Sequence, residues 1–138
     1  MSLTTDKFFY DALRGTAIDK ACGGRIFNPA RPTVDEDKDR IPYVVIFLES
    51  VANMSQTKDD IEGDTDSSSV VLLVVASDRQ SLGELTTSIR RRIKEYWKSR
   101  PAEAPIDWEF RAGPVQYDAV KPCCFQELMY ICLTENTL

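Results

Sequence analysis

The 138-residue chain contains no histidine. That absence removes the commonest general base, the usual serine and cysteine triads, and every histidine-based metal signature. The four cysteines, Cys22, Cys123, Cys124 and Cys132, form no CxxC pair, so zinc is not expected. Disulfides are not expected either. Cys124 and Cys132 would share a strand face but stand about eight rises of roughly 3.3 Å apart. Adjacent Cys123 and Cys124 would point to opposite faces, and a bond between them would need unusual backbone geometry. Reduced, packed thiols are the expectation. Phosphate loops and dinucleotide fingerprints are missing as well. No apolar run approaches the roughly 20 residues of a membrane helix. The first residues lack a basic segment followed by an apolar core, so no secretory signal is read and the cytoplasm is the expected location. Basic residues are outnumbered, 17 against 22 acidic, giving a net charge of −5. Such a balance argues against a dedicated nucleic-acid binder, whose phosphate contacts need a basic surface.

What the chain does have is a strong fold signal. Its length suits one domain with a single core. Two apolar runs, residues 43–48 and 70–76, are hydrophobic at consecutive positions, as in strands at the centre of a sheet covered on both sides. Thr4 and Thr5 are candidate N-caps for a first helix over about residues 5–20, with Phe8, Phe9, Ala12, Leu13, Ala17 and Ile18 at helical spacing and Gly23-Gly24 ending it. Residues 25–27 read as a short strand and residues 43–49 as a longer one. The connection over residues 50–68 is rich in Asp, Ser, Thr and Gly, and reads as a long exposed loop or a hairpin tip. A strand over 69–77 leads to a second helix capped by Asp78 or Ser81, in which Leu82, Leu85, Ile89, Ile93, Tyr96 and Trp97 form one apolar stripe. Pro101 and Pro105 end that helix, and residues 106–111 and 124–134 read as two further strands. The order α-β-β-β-α-β-β predicts an α/β (α+β) two-layer sandwich, a mixed or mainly antiparallel sheet with the helices mainly on one face.

Charge is segregated along the chain. Asp59, Asp60, Glu62, Asp64 and Asp66 crowd the 50–68 connection, while Arg90, Arg91, Arg92, Lys94, Lys98 and Arg100 crowd the second helix. The plain reading is a solvated loop and a solvated helix face with cations near the helix C-terminus, where the dipole favours them. The acidic run also invites a calcium reading, but in EF-hand register Thr65 stands where glycine is required and Val71 where the closing glutamate should be. A looser divalent site is the alternative left open there. No pair of carboxylates is singled out for glycosidic chemistry. The expectation is a protein without catalytic, metal or cofactor residues.

The ordering of segments carries a resemblance. It is borne by Ala12-Leu13 in the first helix, residues 23–27 (Gly-Gly-Arg-Ile-Phe), residues 41–45 (Ile-Pro-Tyr-Val-Val), and the Gly63-Asp64 turn before an apolar strand. Ala76-Ser77-Asp78 and the Leu85 to Arg90 stretch complete it. Over about residues 8–97 the chain resembles the tail-completion, or tail-terminator-like, proteins of tailed bacteriophages. The resemblance implies a small non-enzymatic α/β virion part, assembled in the host cytoplasm into a ring, commonly hexameric, that caps the tail tube and meets the head connector. Partners would then be further copies of the chain, tail-tube and head-connector proteins, with no sequence-specific nucleic acid and no membrane.

Charge segregation suggests how such a ring could close. Asp59, Asp60, Glu62, Asp64 and Asp66 of one copy would approach Arg90, Arg91 and Arg92 of the next, opposite charges steering a head-to-tail contact. Alternatively the acidic loop lines a channel and keeps passing DNA from adhering. A reading from another class is a small cytosolic adaptor domain whose loop recognises a host protein; self-assembly separates the two.

Overall fold

The computed structural model describes residues 2–28, 40–54 and 65–135. A short 3-10 turn, Ser2–Thr4, leads into helix α1 (Thr5–Leu13), followed by α2 (Ala17–Ala21), strand β1 (Ile26–Phe27), β2 (Tyr43–Met54), β3 (Thr65–Ala76), helix α3 (Arg79–Lys98), β4 (Asp107–Ala112), β5 (Gln116–Asp118) and β6 (Cys123–Glu135). The strands form one mixed sheet in the order β1-β2-β3-β6-β4, with β5 paired to the start of β6. Only β1 against β2 is parallel. The expected α+β sandwich is the fold observed.

The core lies between the helices and one face of the sheet. From α1 come Phe8, Phe9, Ala12 and Leu13, and from α3 Leu82, Ile89 and Ile93. The sheet answers with Val44, Ile46, Val70, Leu72, Val74, Leu128, Tyr130 and Cys132. These strand residues alternate along their chains, so the period of two that defines a strand face selects them. Each fully buried Leu, Ile or Phe contributes roughly 1.5–3 kcal/mol of transfer free energy. Among the described residues no helix packs on the opposite face, although Val71 and Val75 are buried there too, flanked in register by Phe47 and Met129 and by Tyr43 and Phe125. Helices mainly on one face were expected, and among the described residues that is where they lie.

Two expectations are corrected, and one pair of alternatives is resolved. The single first helix is broken at Arg14–Thr16: Arg14 is extended, Gly15 takes a positive φ of 75°, and the Thr16 hydroxyl donates to Leu13 O at 2.6 Å. Glycine and a self-bonding threonine give the backbone an alternative to helix here, while Gly15 N–H finds Asp19 Oδ2 at 2.9 Å. The described ends of the 50–68 connection are a strand pair, so of the two alternatives the hairpin stands rather than the open loop: β2 runs on to Met54 and β3 starts at Thr65, past an irregularity between Leu48 and Ser50. Its serines pair through the backbone, and β6 supports β3 along the whole arm, up to Thr65 opposite Glu135. Residues 55–64 lie outside the described residues. Strand β5 was not expected: three residues with exposed Gln116 and Tyr117 offer no periodicity, and their pairing with Cys123–Phe125 fixes them.

Candidate assembly interface

Helix α3 presents the basic cluster. Its start is set by Asp78, whose Oδ1 accepts from Ser81 N–H at 2.7 Å. The same bonds hold the Asp78 carboxyl below the usual range, the Ser81 backbone amide first. A group with a depressed folded pKa stabilises above its unfolded value near 4 and loses that contribution as pH falls through the folded one. Asp78→Ala is therefore expected to lower the melting temperature by a few degrees at neutral pH, and the gap between variant and parent should close in acid. A gap constant with pH would mean the carboxylate does not cap the helix.

Successive helical residues are rotated by about 100°, so Arg90, Arg91 and Arg92 cannot share a face. Arg90 turns toward the sheet, its guanidinium 3.9 Å from the ring centre of Phe110. Arg92 turns the other way and donates from Nε to Ala12 O at 2.8 Å, tying α3 to α1 near its C-terminal end. Arg91, exposed as Arg90 also is, lies beside the exposed Lys94 and Lys98 on the solvent side of the helix. The projecting cation stripe is thus Arg91, Lys94 and Lys98, spaced three and four apart. That spacing was visible in the sequence, whereas adjacency of three arginines was a poorer guide.

Of the acidic set, Asp66 is described, and it is no loop residue. It sits in β3, buried at 7% exposure, with Oδ1 accepting from Asn53 Nδ2 at 2.8 Å across the β2–β3 pair. Its neighbours continue a polar row: Ser68 and Thr134 hydroxyls approach at 3.4 Å, and Thr134 donates to Asp66 O at 3.4 Å. Such partners are what a buried carboxylate requires. Asp59, Asp60, Glu62 and Asp64 lie outside the described residues, on the connection from Met54 to Thr65.

A second surface, with no signal in the periodicity, lies at the other end of the sheet. Tyr117 (64% exposed) and Val120 (93% exposed) project beside a groove of about 640 Å³ lined in part by Ile41, Tyr43, Val75 and Pro122. Asp118 Oδ1 accepts from Val120 N–H at 2.9 Å and fixes the turn that presents the valine.

Two further perturbed groups, the thiols of Cys22 and Cys132, belong to packing. Burial pushes the Cys22 thiol up to about 11, with Arg25 opposing and Asp19 adding, and pushes Cys132 up to about 12. All four cysteines are free and buried. Raised folded values mean that both thiols stabilise below the unfolded value near 9, and that stability is lost as pH rises through 11 and 12. The denaturation midpoint should fall across that alkaline window, and thiol reagents at pH 8 should label Cys22 and Cys132 only as fast as the protein opens. Stoichiometric labelling of the native chain within seconds would contradict the packing. Among the described residues no group of three or more Cys, Asp or Glu is placed to hold a metal ion.

Neither a protein-family model nor a curated protein sequence matches the chain. A solved structure does. A chain of the structure titled "Virion of native gene transfer agent (GTA) particle" superposes with a TM-score of 0.63 at 16% identity, covering 95% of this chain and 94% of that one. At that identity the likeness defines a shared fold, and it spans both chains nearly end to end.

Proposed function

We propose that the chain is a non-enzymatic structural subunit of a phage or phage-like particle, a tail-completion or tail-terminator protein that works by ring-forming self-association. The end-to-end likeness to a chain of a gene transfer agent virion is the observation that carries this reading. The order of sequence segments, which resembles tail-terminator-like proteins, points the same way. In this role the ring caps the tail tube and joins it to the head connector, and the chain needs surfaces and no active site.

The self-contact is between the acidic segment joining β2 to β3, with Asp59, Asp60, Glu62 and Asp64, and the basic side of α3 on the next copy. Geometry refines the basic half. Arg90 and Arg92 are engaged within their own subunit, so Arg91 leads, with Lys94 and Lys98 beside it. Asp66, held by Asn53, anchors the arm rather than meeting a neighbour. Opposite charge at such a rim gives steering and orientation more than raw affinity.

Solution mass by light scattering over a wide concentration range, with negative-stain images of the largest species, tests the reading. Closed rings support it. A strict monomer at every concentration, also in the presence of tail-tube protein, would overturn it and favour the adaptor reading.

A further inference from the structure

Strand β4 pairs with β6 along one side, and among the described residues no strand lies along its other side. Its side chains reach solvent: Asp107, Glu109, Arg111 and Ala112 are exposed, and Trp108 and Phe110 are half-buried. An unpaired edge of this kind is a template for another strand.

The backbone restricts how a strand can add. Gly113 N–H donates to Glu127 O at 2.9 Å, so the backbone groups of Glu109 and Arg111 face β6 and, by alternation, those of Trp108, Phe110 and Ala112 face the open side. Trp108 N–H is held there by Asp107 Oδ1 at 2.8 Å. Side-chain order restricts the addition further. Glu109 and Arg111 project from the sheet face opposite the helices and bridge each other at 3.2 Å. Consider a second β4 placed antiparallel alongside, with the two Phe110 residues opposite each other on a two-fold axis. Outward groups then meet outward groups: Phe110 exchanges hydrogen bonds with Phe110 of the second copy, and Ala112 N–H donates to Trp108 O of the second copy. Glu109 of each copy stands opposite Arg111 of the other, in the pair type whose side chains approach most closely. The charges close into an alternating square. A shift of two residues either way sets Glu109 against Glu109 or Arg111 against Arg111 on the axis, which repels. Among these registers charge favours one.

We infer that β4 is a two-fold contact, at which a second copy of this chain continues the sheet edge to edge in that register. The same patch serves both copies, so the contact is isologous. It is separate from the head-to-tail contact proposed above and does not rest on it. On the helix face Phe110 meets Phe110, each ring carrying its own Arg90 guanidinium at 3.9 Å. That approach of like charges, together with a strand of only 6 residues, makes the dimer a weak one.

Sedimentation velocity on the full-length protein, which resolves dimers from rings, tests the contact. The parent should dimerise reversibly. Arg111→Glu and Glu109→Arg should each raise the dimer dissociation constant by about tenfold, because like charges then face each other twice across the axis. Both exchanges in one chain should restore the dimer, and mixing the two single variants should give a heterodimer tighter than either homodimer. Ala112→Pro removes an N–H that β6 does not use, at an edge position where proline is tolerated, and should weaken the dimer while leaving the melting temperature in place. A parent that stays monomeric up to about 1 mM overturns the pairing. So does a dimer indifferent to the charge exchanges. Rings without β4 dimers would leave the ring reading standing alone, and β4 dimers without rings would leave the two-fold contact standing alone.

Discussion

Tyr130→Ala should be the most damaging single truncation in the chain, costing about 3–5 kcal/mol in a denaturant titration. The side chain is fully buried and its ring sits at the centre of an aromatic cluster, 4.9 Å from Phe9, 5.0 Å from Trp108 and 5.1 Å from Phe110. It therefore joins α1, β4 and β6 at one point. Removing it opens a cavity whose walls belong to three elements, and aromatic pairs add about 0.5–1.5 kcal/mol beyond the buried area. The hydroxyl behaves differently. It is buried without a hydrogen-bond partner among the described residues, and burial pushes its pKa up, with the Arg90 charge opposing. Tyr130→Phe should consequently be neutral or stabilising by up to about 1–2 kcal/mol, because a desolvated donor is removed along with nothing it bonds. A loss of stability in the phenylalanine variant would show that the hydroxyl is paired in solution.

Replacing Arg91, Lys94 and Lys98 together by glutamate is the second change with a large expected effect, this time on assembly. Exposed charge pairs are worth about 1 kcal/mol or less each. Three losses, with repulsion in their place, should weaken each contact by roughly a hundredfold, enough to leave monomers at micromolar concentration. The fold should survive, since the three side chains point to solvent. The assembly proposed above should also loosen at high salt, where exposed charges are screened within a few ångströms. Reversing Arg90 and Arg92 as well would spoil the experiment: one stacks on Phe110 and the other ties α3 to Ala12 O. Rings unchanged in the triple variant would remove α3 from the interface.

Much of the fold could be read from the sequence because its signals are local. Leu82, Ile89 and Ile93 recur at helical spacing, Asp78 precedes them as a cap, and Val70 to Ala76 can only be a covered strand. What could not be read depends on neighbours. Ser67, Ser68 and Ser69 have no apolar pattern, yet become a strand because β2 and β6 lie on either side of them. Gln116 to Asp118 became β5 for the same reason. The candidate interface was half legible. Composition located a basic helix, but which cations project follows from rotation about an axis, and Arg90 and Arg92 find partners on other elements that no local pattern announces. Asp66 belonged to an acidic run by sequence and to a buried hydrogen-bonded row by structure.

The chain has two tryptophans, Trp97 at the end of α3 and Trp108 in β4, and they meet edge to face with an interplanar angle of 75°. All of the indole emission thus arises at one joint. A red shift on heating reports the release of β4 from the helix, while the far-ultraviolet dichroism reports the whole chain. Where the two signals part company, an outer strand has come away before the rest has melted.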